Sequence, residues 1–107
     1  MRFICKKSKE NIANLARILG YRLLSGDLSE DKRTDNEFNL VRPLARDYPR
    51  FHIYLMEENN ILNFNLHLDQ KKPSYSKQTK HSGEYDGELI LGEKQRIEKI
   101  IEKLLSF

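Results

Sequence analysis

The sequence predicts an α+β domain, a two-layer sandwich in which two helices pack on one face of an antiparallel sheet of three to five strands. Segments 10–19 and 93–105 carry apolar residues at helical spacing. Between them, segments 50–57 and 61–69 alternate apolar and polar residues, which is typical of strands with one buried face. These apolar surfaces are buried most simply in two layers, with the approximate order β-α-(β)-β-β-β-α.

The first predicted elements are a short strand and a helix. Arg2 to Lys6 alternates, with Phe3 and Cys5 on one side, which indicates a strand at the edge of a sheet. Ser8 is the predicted N-cap of the following helix, and Gly20 is suited to end it in the left-handed conformation. The apolar stripe of this helix consists of Ile12, Leu15, Ala16 and Leu19.

The middle of the chain predicts two strands separated by a loop. Residues 21–24 form a candidate short strand, and residues 25–36 are almost all polar, which favours a mobile surface loop. Residues 37–42 then alternate like a strand. Pro43 ends this strand because proline has no N–H to donate to the ladder.

The clearest predicted element is a β-hairpin of residues 50–57 and 61–69. We place the reversal near Glu58-Asn59, with Met56 opposite Ile61, because this register gives every apolar residue of the first strand an apolar partner. A slip of one residue would destroy the pattern, so the two faces are well specified. On the polar face, this register pairs Tyr54 with Asn63, His52 with Asn65, and Arg50 with His67.

The last third of the chain predicts a loop and a helix. Residues 70–88 show no regular period, and we expect a mobile loop that is basic at its start and acidic at its end. The final helix is expected from Glu93 to Leu105. Its apolar stripe consists of Ile97, Ile100, Ile101, Leu104 and Leu105, and the residues expected to face water are Lys94, Arg96, Glu98, Lys99, Glu102 and Lys103.

Length and composition narrow the class of protein. The 107 residues are enough for one domain, so we expect a single domain over residues 1–107. Cys5 is the only cysteine, which excludes an intramolecular disulfide and favours a cytoplasmic location. No segment approaches the roughly 18 apolar residues of a membrane span, so we expect no membrane partner. The net charge of +3 permits a nucleic-acid partner without selecting one.

The polar face of the predicted hairpin is the main indication of function. It presents arginine, histidine, tyrosine and asparagine, whereas an ordinary solvated sheet face carries lysine, glutamate and threonine. An open face of this kind can stack a base, bond its edges and hold phosphates through nearby lysines. Cross-strand hydrogen bonding among the polar groups is the alternative without a ligand. The leading hypothesis is a small module for RNA or another single-stranded nucleic acid, with binding residues Arg50, His52, Tyr54, Asn63, Asn65, Lys71 and Lys72.

Two other functions fit the same residues. A small hydrolase, either metal-dependent or using acid–base catalysis, would be centred on His52, His67 and Asp69, because imidazoles lying diagonally on one sheet face can converge on an ion. His81 would complete that ligand set, and only this hypothesis implies a cofactor, a divalent metal. A protein-interaction module would instead use the polar face or the stripe of the last helix. A second copy of the chain, in a homodimer, is one partner that fits this hypothesis.

Overall fold

The computed structural model describes residues 1–25, 36–70 and 82–106. It confirms the predicted α+β class, with a five-stranded antiparallel sheet and two helices. The predicted mobile loops fall mainly on residues 26–35 and 71–81, which lie outside the described residues. The elements in chain order are β1 (Arg2–Lys6), α1 (Ile12–Leu19), β2 (Arg22–Ser25), β3 (Glu37–Pro43), β4 (Arg50–Glu58), β5 (Ile61–Asp69) and α2 (Ser82–Leu105).

The five strands form one sheet in the order β1-β5-β4-β3-β2, and all neighbours are antiparallel. As predicted, β1 lies at an edge. From residue 50 to residue 56, the odd-numbered side chains of β4 are buried and the even-numbered ones are not, and β5 has the opposite parity from residue 61 to residue 67. One sheet face therefore carries the core, and we call the opposite face the outer face.

The hairpin register differs from the predicted one by two residues. Asn59 and Asn60 have φ angles of 55° and 68°, which is the conformation of a two-residue type I′ turn. Glu58 therefore pairs with Ile61, and every partner moves two positions from the predicted register. Because side chains alternate with a period of two, this shift keeps both faces as predicted. The corrected outer-face pairs are Tyr54 with Asn65, His52 with His67, Arg50 with Asp69, and Met56 with Asn63.

Both helices cover the inner sheet face, as predicted for a two-layer sandwich. Helix α1 contacts β2, and α2 contacts β5 and β1. The rings of Phe3 and Phe64 stack in this core with centroids 4.8 Å apart. Neither described helix combines the length and apolar character needed to cross a membrane. The buried core consists of Phe3, Ile12, Leu15, Ala16, Leu19, Tyr21, Leu40, Phe51, Ile53, Leu55, Leu62, Phe64, Leu66, Ile97 and Ile101.

Helix α1 confirms the predicted stripe and end but not the predicted cap. Asn11 is the N-cap, since its side chain accepts a hydrogen bond from the N–H of Asn14 at 2.8 Å. Ser8 instead accepts from the N–H of Glu10, in the turn before the helix. Both residue types can cap a helix, so the sequence alone did not separate them. Gly20 ends the helix at φ 90°, the left-handed conformation.

Helix α2 begins at Ser82, eleven positions before the predicted start, so residues 82–88 are helical and were wrongly assigned to a loop. The prediction rested on an apolar stripe, and this stripe starts only where the helix meets the sheet. Leu89 and Leu91, which precede that contact, are exposed. The sequence of residues 82–88 has no apolar period, and without that period the pattern does not predict a helix.

A buried carboxylate joins both helices to the sheet. Glu93 in α2 is only 5% exposed. It accepts hydrogen bonds from the hydroxyl of Tyr21 at 2.7 Å, from Arg96 at 2.8 and 2.9 Å, and from Arg42 at 3.3 Å. Arg96 also donates to the carbonyl oxygen of Leu19 at 2.6 Å. The prediction that the side chain of Arg96 faces only water is therefore wrong, because Arg96 is bonded to the buried Glu93 one helical turn away.

Candidate functional site

The outer face carries aligned rows of side chains, because residues paired across β1, β5, β4 and β3 lie side by side. Directly paired residues on one face of a sheet have Cβ atoms about 4.5–5.5 Å apart, close enough for one ligand to touch several. Two rows form its open end: Asn39–Tyr54–Asn65–Arg2 and Glu37–Met56–Asn63–Ile4.

A concavity of about 810 Å³ lies over these two rows. Its volume falls in the range of roughly 300–1,000 Å³ that ligand sites occupy. Tyr54 is 49% exposed and Ile4 is 62% exposed, so an aromatic ring and an aliphatic side chain face the solvent here. The lining therefore combines apolar contact surface with side-chain amides, the guanidinium group of Arg2 and the carboxylates of Glu37 and Glu58.

Two asparagines line the concavity with free amide groups. Asn63 and Asn65 lie two residues apart on β5 and are both partly buried. Within the part of the chain that the structure describes, neither side-chain amide makes a hydrogen bond. Each amide offers one acceptor oxygen and two N–H donors. The site thus presents paired donors and acceptors beside the ring of Tyr54.

Three aromatic rings meet next to the amides. The centroids of His52 and Tyr54 are 4.6 Å apart, those of Tyr54 and His67 are 5.5 Å apart, and those of His52 and His67 are 6.3 Å apart. The two-residue correction of the register creates this cluster, because it places the histidines directly opposite each other rather than diagonally. The sequence analysis placed these three residues on one face, and the structure shows that their rings contact one another.

The histidine end of the outer face is more enclosed than the open end. Val41, which pairs with His52, is fully buried, and the side chain of His52 is only 14% exposed. The ring cluster therefore lies at the boundary between a covered and an open part of the sheet. Polar interactions at such a boundary are screened less by water than those on the open surface.

A charged network fixes the ring of His52. Oδ2 of Asp69 lies 3.2 Å from Nε of Arg50 and 3.3 Å from Nδ1 of His52. On the other side of the ring, Nε2 lies 3.2 Å from Oδ1 of Asn39. Both ring nitrogens of His52 therefore face oxygen atoms. Which of the two nitrogens donates depends on the tautomer of the ring.

His67 has a different environment. Its Nε2 is buried and has no hydrogen-bond partner among the described residues. Burial, together with nearby positive charge, lowers the pKa of His67 below its usual value of 6.5, although Asp69 opposes this shift. The neutral ring is therefore the favoured form of His67 at neutral pH.

The structure brings together all the predicted binding residues that it describes. Arg50, His52, Tyr54, Asn63 and Asn65 share the outer face. Lys71, Lys72 and His81 lie outside the described residues. Sequence reasoning left out six further outer-face residues that line the concavity, although the alternation of β1, β3 and β4 placed them on this face. They are Arg2, Ile4, Glu37, Asn39, Met56 and Glu58.

The metal hypothesis finds no ready ligand set in residues 1–25, 36–70 and 82–106, where no three His, Cys, Asp or Glu residues are grouped to hold an ion. His67 and Asp69 do lie on the same face as His52, as predicted. However, both nitrogens of His52 already face side-chain oxygen atoms, so an ion bound there would have to displace one of these contacts.

Cys5 lies on the inner side of β1 and is partly buried. Burial, and then the charge of Glu98, raise the pKa of its thiol to about 11. The thiolate is the reactive form of cysteine, so Cys5 is a poor nucleophile at neutral pH. Cys5 instead packs against the hydrophobic core as a small apolar residue.

Comparisons with protein-family models, with curated proteins and with solved structures found no match to this chain.

Proposed function

We propose that this protein binds single-stranded RNA on its outer face. The observation that carries the proposal is the cluster of His52, Tyr54 and His67 beside the free amides of Asn63 and Asn65. Proteins that recognise single-stranded RNA stack unpaired bases on aromatic rings and bond their edges with polar side chains. The outer face offers both kinds of contact within two neighbouring strands.

Tyr54 is the principal stacking residue in this proposal. Its ring is half exposed at the mouth of the concavity, while the histidine rings support it from the covered side. Stacking on an aromatic side chain contributes about 1–3 kcal/mol per base. One nucleotide stacked here places its base edge near the amide of Asn65, which pairs with Tyr54 across the sheet.

Phosphate contacts come from basic residues around the rows. Arg2 ends the Tyr54 row at the edge strand β1, and Arg50 lies at the opposite end of the outer face. In the chain, Lys71 and Lys72 follow closely after Asp69, the last residue of β5. A strand that crosses the concavity therefore has cations on both sides of its stacked base.

The decisive experiment is fluorescence anisotropy with a labelled single-stranded RNA and the Tyr54→Ala variant. We expect the variant to bind about 5- to 100-fold more weakly, since it loses the stacking energy of one base. The matched control is Ile18→Ala, which removes a similarly exposed apolar side chain on α1, away from the outer face. This control should bind like the unaltered protein.

Binding should also weaken steeply as salt rises, because phosphate contacts release counterions. The proposal would be contradicted if the protein did not bind the labelled RNA at low salt. It would also be contradicted if Tyr54→Ala bound the RNA as tightly as the unaltered protein. The protein-interaction hypothesis and the homodimer stay predictions. Light scattering tests them, because it measures whether the protein in solution has the mass of one chain, of two chains or of a larger complex.

A further inference from the structure

We infer that the RNA site on the outer face is specific for guanine and that Glu37 selects this base. This inference rests on the proposed RNA-binding function and assigns its base preference to one carboxylate of the concavity. Proteins distinguish bases by the pattern of hydrogen-bond donors and acceptors along the base edge. The position and charge of the side chains that line the concavity match the pattern of guanine.

Glu37 lies at the β3 side of the concavity, on the same face as Tyr54, and both residues line it. The direct partner of Glu37 on β4 is Met56, two residues from Tyr54, so Glu37 and Tyr54 are diagonal neighbours. Diagonal neighbours on one sheet face are about 7–8 Å apart, a distance that long side chains can bridge. A base stacked on the ring of Tyr54 therefore has an edge within reach of the Glu37 carboxylate.

The carboxylate of Glu37 is available to a ligand. Glu37 is exposed, and among residues 1–25, 36–70 and 82–106 its carboxylate has no hydrogen-bond or ion-pair partner. The carboxylate of Asp69, at the covered end of the same face, is by contrast held by Arg50 and His52. A base that approaches Glu37 therefore has no such internal contact to break.

A carboxylate offers only acceptors, and this distinguishes the four bases. Its two oxygens lie side by side and accept a parallel pair of donors. Guanine carries such a pair on its Watson–Crick edge, namely the ring N1–H and the exocyclic amino group. Adenine, cytosine and uracil each place an acceptor beside the donor on that edge, so a carboxylate oxygen would face another electron-rich atom. The amides of Asn63 and Asn65 combine a donor with an acceptor and can bond to any base, so they do not select one.

The charges of the outer face orient a nucleotide so that this edge meets Glu37. Arg2 and Lys6 lie on the outer face of β1, at the opposite margin from Glu37 on β3. Roughly 14 Å separate β1 from β3, because two strands lie between them and neighbouring strands are about 4.8 Å apart. The phosphate is attracted to the cations of β1 and repelled by Glu37, so the base extends over Tyr54 toward β3. The amide of Asn65, between Tyr54 and Arg2, remains for another edge of the same base.

The test measures fluorescence anisotropy of short labelled oligouridines that carry one central guanosine, inosine or adenosine. Inosine lacks the amino group of guanosine and so removes one of the two donors. We expect the guanosine strand to bind about 5- to 150-fold more tightly than the adenosine strand, with the inosine strand between them, because a bidentate contact is lost in steps. In Glu37→Gln this preference should disappear, because an amide replaces one of the two acceptors with a donor.

The matched control is Glu58→Gln. Glu58 also lines the concavity and is exposed, but it lies four residues from Tyr54 along β4, about 13 Å away. Both substitutions remove one negative charge and can therefore strengthen phosphate binding in general. The preference is a ratio of two affinities of the same variant, so this general effect cancels. Glu58→Gln should keep the preference for guanosine.

Equal binding of the guanosine and adenosine strands by the unaltered protein, or an unchanged preference in Glu37→Gln, would overturn the inference. The binding function would stand as long as binding still depended on Tyr54. Guanosine monophosphate, added as a competitor, separates a strand from a free nucleotide with the same base edge. If the mononucleotide bound as tightly as the guanosine strand, the site would be one for free nucleotides and the inference would be overturned. If none of the strands bound, the proposed function itself would fall.

Discussion

At the scale of single residues, the clearest departure from sequence rules is Glu93. Surface positions of a helix are usually assigned to solvent when they carry charge, and the pattern around α2 gave no reason to treat Glu93 differently. In the structure it is buried and bonded by Tyr21, Arg96 and Arg42. These partners are distant in sequence or share the polar face of α2, so no local period reveals them.

Glu93→Gln should lower the free energy of unfolding by roughly 1–3 kcal/mol. The substitution leaves Arg96 and Arg42 without a counter-charge, although their partial exposure limits the loss. The matched control is Glu98→Gln in the same helix, where the side chain is 40% exposed and, among the described residues, its carboxylate forms a salt bridge with Lys94 alone. Urea unfolding should show less than about 0.5 kcal/mol for the control, and equal losses in the two variants would disprove the structural role of Glu93.

His67 should make stability depend on pH. Its folded pKa lies below the unfolded value of about 6.5, so the unfolded chain takes up this proton first as the pH falls. The contribution of the neutral ring is complete above about pH 6.5 and is lost as the pH falls toward the folded pKa. Urea unfolding from pH 8 to pH 5 should therefore show a steeper decline for the unaltered protein than for His67→Gln. Parallel profiles would show that His67 is not protected from protonation.

At the scale of elements, the hairpin shows what alternation can and cannot predict. The alternating pattern assigned both faces of β4 and β5. The cross-strand partners, however, depended on the type of turn, and the sequence Asn59-Asn60 did not predict which type would form. The left-handed angles at Asn59 and Asn60 set a register two residues away from the one with the best apolar matches. Helix α2 illustrates the same limit, since residues 82–88 are helical although their sequence has no apolar stripe.

The turn itself can be tested with Asn60→Gly. Glycine adopts φ 68° without steric cost and is favoured at this position of a type I′ turn, so we expect a gain of up to about 1 kcal/mol. Asn60→Val should lose about 1 kcal/mol or more, because a β-branched residue is strained at positive φ. Thermal unfolding midpoints of the two variants should move in opposite directions, and a shift in the same direction would contradict the turn assignment.

At the scale of the whole molecule, the sheet has the hydrophobic core on one face and the candidate site on the other. The two helices cover the inner face, and the described side chains of the candidate site lie on the outer face. The general architecture was predictable because it follows from local periods. The composition of the candidate site was only partly predictable, because neighbours such as Arg2 and Asn39 come from strands whose pairing the sequence does not state.

Substitutions on the two faces of β5 should separate these roles. Phe64→Ala should lower the free energy of unfolding by roughly 3–5 kcal/mol, since it empties a core position that stacks on Phe3. Asn65→Ala, the next residue, should cost less than about 1 kcal/mol because its amide has no partner within the described chain. Urea unfolding of both variants gives the comparison, and a similar loss at Asn65 would mean that its side chain supports the fold.

The short reversal at Asn59-Asn60 has a consequence for how such a surface can change. Only two residues join β4 and β5, so an insertion in this turn cannot shift the pairing of the outer-face side chains in small steps. If a single added residue were accommodated within a strand, every following side chain of that strand would move to the opposite face of the sheet. The hydrophobic side chains of the core would then be exposed to solvent. Variation of the outer face must therefore come from exchanging side chains at alternate positions, which leaves the packed interior in place.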